Sequence, residues 1–165
     1  MKTAGTIIQV GIADMNIARA PDTLRTSGLG SCVGVVLYDL SRKQAGMAHI
    51  MLPDSSLARQ KSLNRAKYAD TAIPALIEML EKAGSPYWKL RAKLAGGAQM
   101  FKAYGASQLI RIGPRNVEAV KKLLHAMEIP IVAADVGGNT GRTIQFNPET
   151  GELVIRTVNK GISVI

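Results

Sequence analysis

Two side chains in this sequence, Cys32 and His49, could together do chemistry that neither does alone. A thiol attacks as its thiolate, and a free cysteine titrates near ~8.5, so a neighbouring imidazole is its usual activator at neutral pH. The commoner lot of a single cysteine beside an apolar strand is to be a small buried hydrophobe. The surroundings must therefore carry the functional reading. Cys32 follows Thr26-Ser27-Gly28-Leu29-Gly30-Ser31. Gly28 and Gly30 allow positive φ and close approach of a substrate to the main chain. Backbone N–H groups around Gly30, Ser31 and Cys32 could then form an oxyanion hole. An imidazole acting as base also needs a hydrogen-bond partner that orients it, and Thr26, Ser27 and Ser31 are the local candidates.

The elements that must bring these residues together can be read from periodicity. Thr6–Val10 reads as a short strand, and residues 11–25 as irregular with a Pro21-Asp22 turn. Val33–Tyr38 is β-branched and apolar, a buried strand. Asp39–Gln44 is a polar turn, and Ala45–Leu52 the next strand, with Met47, His49 and Met51 on one face. A hairpin closing on Leu40-Ser41, with paired residue numbers summing to 81, sets Cys32 directly opposite His49. A register two units away leaves them diagonal on the same face, and a one-unit slip separates them. The spacing permits the pair without forcing it.

Residues 53–66 read as a polar loop. Ala69–Leu80 has helical spacing ended by Gly84, with Pro74 either in the first turn or kinking the helix. Leu90–Ala95 is a strand. A second helix opens at Gly113-Pro114, with Val117, Val120, Leu123, Leu124 and Met127 as its apolar stripe. His125 lies off that stripe and faces solvent. Ile131–Val136 is a strand. Thr143–Phe146 and Leu153–Val158 flank the turn sequence Asn147–Gly151. Gly96-Gly97 and Gly137-Gly138 match no phosphate-loop pattern and read as close backbone contacts. The expected class is α+β, an α/β sandwich in which helices are layered on a largely antiparallel sheet, as a single domain over residues 1–165.

Composition narrows the function. With 47% hydrophobic and 20% charged residues the chain is globular. No apolar run approaches the roughly 20 residues that span a bilayer, so no membrane insertion is expected, and no secretory leader is visible. One cysteine excludes an internal disulfide and fits a cytoplasmic location. One cysteine and two histidines supply too few ligands for a structural zinc site, so no metal or cofactor is expected. The net charge of +9 first suggests nucleic acid. Aromatics are only 4%, however, and the cations are dispersed, with Arg59, Lys61, Arg65 and Lys67 the densest group. An acidic protein partner explains the charge as well, and nucleic-acid binding is not expected.

At these residues the sequence resembles the CheD family of chemoreceptor glutamine deamidases. The matching segments are Gly28–Val33, Gly46–Pro53, Lys67–Thr71, Lys93–Phe101, Ile112–Val117 and Asp135–Asn139, in order over almost the whole chain. The resemblance implies a fold shared with deamidating bacterial toxins and a Cys–His–Thr triad, which falls on Cys32, His49 and Thr26. Ser27 stands where the family pattern has leucine, placing a second hydroxyl beside Thr26. The implied reaction is hydrolysis of receptor glutamine side chains to glutamate through a thioester, with methylesterase activity in some members. Implied partners are chemoreceptor cytoplasmic domains and a CheC-type response-regulator phosphatase. Met100 and Phe101, where a strand runs out, are candidate partner contacts, with burial in the core as the alternative. Two rivals remain. One is a binding module that chiefly regulates the phosphatase, and the other is a thiol redox sensor, which would not need His49.

Overall fold

The computed structural model describes residues 4–58, 64–100 and 111–165. Its centre is β4 (Val33–Asp39), every residue of which is buried. That strand reads as a continuous apolar run because both its faces are covered. It lies in a sheet of order β2-β5-β4-β6-β7, formed with β2 (Met15–Arg19), β5 (Gln44–Ile50), β6 (Arg91–Gly96) and β7 (Ile131–Val136). Two helices, α1 (Ala69–Lys82) and α2 (Ile112–Ala126), pack on one face of this sheet. A second sheet packs on the other, ordered β1-β3-β8-β9-β10. Its strands are β1 (Ile7–Gln9), β3 (Thr23–Leu29), β8 (Arg142–Asn147), β9 (Glu152–Thr157) and β10 (Gly161–Val164).

The α+β class expected from the sequence is what the structure has, with one sheet more than expected. Pairings among the described strands are antiparallel except β1–β3 and β6–β7. Alternation divides the central sheet between two cores. Val33, Val35, Leu37, Ala48, Ile50 and Leu94 meet Leu76 and Leu80 of α1 and Val120 and Leu124 of α2. Val36, Tyr38, Ala45 and Met47 meet Leu24, Leu29, Ile144 and Phe146 of the second sheet.

Several expectations are corrected. Residues 11–25 are not irregular, because they contain β2 and the start of β3. Their pattern was masked by polar residues on an edge strand and by a bulge that breaks the two-residue period after Thr26. The last strand, β10, is wholly exposed and so carries no burial signature. Pro74 lies in the second turn of α1, where it removes one main-chain bond, and burial of Ile73, Leu76 and Ile77 on the sheet offsets that loss. Pro114 is the third residue of α2, still within the turn whose N–H groups lack helical acceptors.

The β4–β5 register is the correction with most consequence. Gly34 pairs with His49 and Val33 with Ile50, so paired numbers sum to 83 rather than 81. The reason is the turn. Asp39 accepts hydrogen bonds from Ser41 N at 3.0 Å and Ser41 Oγ at 2.6 Å, and Lys43 adopts a φ of 52°. The loop therefore runs from Leu40 to Lys43 and closes on Asp39 and Gln44. A shift of two residues preserves the face, and this register continued past Val33–Ile50 would set Cys32 opposite Met51 rather than His49.

The seat of α1 gives a test. A Cβ on Gly46 would lie 2.6 Å from Leu76 Cδ1, in a core with no slack. Gly46→Val should cost about 1–3 kcal/mol by overpacking. It should lower the urea midpoint, and an unchanged midpoint would mean that α1 is not seated as described.

Candidate active site

The chain leaves one sheet at the end of β3 and enters the other at the start of β4, and Cys32 lies on that crossing. The bulge sets up the crossing. Thr26 and Leu29 both point inward, while Ser27 and Gly28 are both exposed, with Gly28 at a φ of +72°. Leu29, fully buried, anchors the turn. The next residues are then gripped by main chain from the end of β6. Gly97 N–H donates to Cys32 O at 2.8 Å, and Ala98 N–H donates to Gly30 O at 2.8 Å. Gly96 must be glycine, since its φ is +105° and a Cβ would sit 2.4 Å from Cys32 O.

His49 enters from β5, completely buried between the sheets. Its Nδ1 lies 2.7 Å from Thr26 Oγ1 of the opposite sheet, and the same hydroxyl lies 2.7 Å from Val10 O. A hydroxyl carries one proton, and a carbonyl can only accept it. Thr26 therefore donates to Val10 O and accepts from His49 Nδ1–H. That commits the tautomer and leaves Nε2 as the basic nitrogen. Nε2 is buried and has no hydrogen-bond partner among the described residues. Cys32 is half-buried and packs on the same inter-sheet core.

Burial governs the charges. It pushes the Cys32 thiol up from its ordinary 9.0, opposed by the cysteine's own backbone N–H. It pushes His49 down from 6.5 to about 4. The resting pair at neutral pH is a thiol and a neutral imidazole, so the histidine is available as a base and no ion pair is preformed.

The other sequence candidates fall as follows. Ser27 points away from His49, and Ser31 contributes its carbonyl rather than its hydroxyl to the contacts of the crossing. Gly30 lies under Met100, whose Cγ is 3.3 Å from where a Cβ would be, and Met100 is 44% exposed. Phe101 lies outside the described residues. His125 is exposed, as expected. Among the described residues no cluster of three His, Cys, Asp or Glu could hold a metal, and no helix is long and apolar enough to cross a membrane.

Sequence reasoning missed Asn116. It is fully buried on α2, and its Nδ2 donates to Ser31 O and to Met51 O, each at 2.9 Å. The signal was present, because Asn116, Val120 and Leu124 form one row at a spacing of four, and a polar residue in such a row needs a partner.

A thiol, an oriented imidazole and a glycine-bounded turn on a two-sheet sandwich define a candidate cysteine–histidine acyl-transfer site. Residues 51–157 match the family model for CheD, described as chemotactic sensory transduction. The chain is 58% identical over 160 residues to the chemoreceptor glutamine deamidase CheD of Bacillus licheniformis, a match covering 97% of this chain and 95% of that protein. The protein of the same name from Bacillus subtilis is 55% identical over 163 residues, covering 99% of this chain and 98% of its own. This chain belongs to the CheD family. Among solved structures, a Neisseria meningitidis protein of the DUF152 family model aligns over 80% of this chain and 64% of its own, at 9% identity and a TM-score of 0.48, a loose likeness of outline.

Two measurements check the electrostatics. Iodoacetamide labelling of Cys32 should keep climbing with pH through and beyond 9, without the plateau at lower pH that a preformed ion pair would give. The second concerns stability. A histidine depressed to about 4 binds fewer protons folded than unfolded, so its contribution is fully present above 6.5 and is lost as pH falls toward 4. The loss should approach about 3 kcal/mol below that range. Urea titrations from pH 7 to pH 4 should show it, and His49→Gln should flatten the curve.

Proposed function

We propose that this chain is a cytoplasmic chemoreceptor glutamine deamidase, one domain over its whole length, with Cys32 as nucleophile, His49 as general base and Thr26 as the residue that orients the base. The observation that carries this reading is the Thr26–His49 hydrogen bond, which can run in one direction only and leaves Nε2 free to take a proton. The names of its relatives specify the substrate class.

The reaction follows from the groups present. His49 Nε2 takes the thiol proton as Cys32 Sγ attacks the side-chain carboxamide carbon of a receptor glutamine. The Ser31 and Cys32 N–H groups donate to no other residue among those described, and they would receive the developing oxyanion. His49 returns its proton to the departing ammonia, leaving a glutamyl thioester. Water, deprotonated by the same nitrogen, then adds to the thioester and releases glutamate and the thiol. No step draws on a metal or cofactor. A glutamyl methyl ester would enter the same acyl-enzyme with methanol as leaving group, which accounts for methylesterase activity from the same residues. Bases of the redox-sensor kind do not need a committed tautomer, and the Thr26 bond favours hydrolysis over that rival. A CheC-type phosphatase would dock at the same mouth, over the surface that Met100 presents beside Gly30.

Mass spectrometry of a receptor cytoplasmic fragment tests the assignment, since each deamidation adds about one dalton, as hydrolysis chemistry requires. Cys32→Ala and His49→Ala should each abolish conversion while folding normally, and the double variant should be no slower than either. Glutamate formation by folded Cys32→Ala would end the cysteine mechanism. Thr26→Ala should lower kcat more than it raises KM, with Thr26→Ser milder, because a serine hydroxyl can make the same two bonds. A larger loss from Ser27→Ala would reassign the orienting group.

A further inference from the structure

We propose that Asn116 is a positioning residue that sets the nucleophile and the base relative to one another, by fastening both their main chains to one point on α2. The proposal rests on reading Cys32 and His49 as nucleophile and base. The β4–β5 ladder ends at the pair Val33–Ile50. One residue further on, the chains diverge. Met51 and Leu52 N–H turn away to Lys67 O, at 2.9 and 3.0 Å, while Ser31 and Cys32 enter the crossing from β3. The Asn116 carboxamide fills that divergence. Its two N–H bonds go to Ser31 O, on the residue before the thiol, and to Met51 O, two residues after the imidazole. The amide has one possible orientation, because turning it over would set its oxygen against two carbonyl oxygens.

The other end of the side chain shows that this is not ordinary packing. Asn116 Oδ1 is buried with no hydrogen-bond partner among the described residues. A buried acceptor left unpaired is unfavourable, and native structures tolerate few of them. An asparagine whose oxygen is wasted is a poor choice for filling a helix–sheet interface. It is a good choice where two carbonyls on separate chains must be held at a fixed separation. Cys32 and His49 lie close to those carbonyls in sequence, so relative movements of the two chains change the thiol–imidazole distance.

The test compares Asn116→Ala with Val120→Ala, one turn along the same helix and buried in the same helix–sheet core but with an apolar side chain that hydrogen-bonds to neither strand. Misplacement of the reacting pair should lower kcat of Asn116→Ala on a receptor cytoplasmic fragment by about 100-fold, with KM held within about threefold, while Val120→Ala loses thermal stability and keeps kcat within about threefold of the parent. Equal losses of kcat in the two variants would assign Asn116 to packing and overturn the proposal. Asn116→Asp gives a second reading. Its carboxylate repels both carbonyls at pH 7.5, but its protonated form can donate to one of them, so its deficit against the parent should shrink at pH 5.5. A deficit flat in pH would also overturn the proposal. Iodoacetamide labelling of Cys32 needs no receptor, and its rate should change in Asn116→Ala and stay at the parent's value in Val120→Ala. If the parent leaves receptor glutamines intact, the deamidase reading falls while the labelling still decides Asn116. Identical labelling of all three proteins would overturn it.

Discussion

The Thr26 hydroxyl has a single proton, and the structure depends on where it goes. Donated to Val10 O, it obliges the hydroxyl to accept from His49 Nδ1. The bond joins the two sheets through the middle of their interface, in a place where neither group reaches water. It therefore requires the sheets to lie at one separation, which the interlocking of Leu24, Leu29, Ile144 and Phe146 with Val36 and Met47 sets. Packing between the sheets and the protonation state of the candidate base are thus one problem. A core that was merely apolar would hold the sheets together, but it would leave the imidazole free to choose its tautomer.

The supports of Cys32 and His49 come from different directions. His49 is held by its ring, from the second sheet. Cys32 is held by its main chain, through Gly97 N–H, Ala98 N–H and Asn116, from the end of β6 and from α2. The thiol itself stays half-buried and unconstrained by a hydrogen bond to the imidazole. Burial keeps both groups neutral, by raising the thiol and lowering the imidazole. The pair is therefore assembled but not charged, and separating charge within it would need a polar group to enter the mouth.

Much of this was legible in the sequence, because the signals were local. Val33–Tyr38 could be placed by its composition, α1 and α2 by their spacing, and the β8–β9 hairpin by Asn147–Gly151. Cys32, His49 and Thr26 stand out as candidates by residue type, glycine context and family resemblance. What the sequence hid was non-local or fell on exposed chain. Strand β3 was hidden by its bulge, which breaks the period at Ser27-Gly28. Strand β10 was hidden by exposure, since nothing in Gly161–Val164 is buried. Ser27 could be set aside only once the bulge turned it outward. Asn116 is 85 residues from Ser31 in sequence, and no local pattern states which carbonyl a buried amide will find.

The four-residue turn from Leu40 to Lys43 lies at the far end of the hairpin from the candidate site, yet its length constrains what this lineage can tolerate. From Asp39 back to Gly34 is roughly 17 Å of extended chain, at about 3.3 Å per residue. Over that span the ladder transmits register rigidly, with no bulge to absorb a slip. An insertion or deletion of one codon in the turn, if taken up by the ladder, would carry the imidazole to the helix side of the sheet. A change of two codons would keep its face and move it by a full pair along the strand. Surface turns usually absorb such length changes freely, and this one, solvent-exposed and remote, should instead be nearly fixed in length across descendants while drifting in composition.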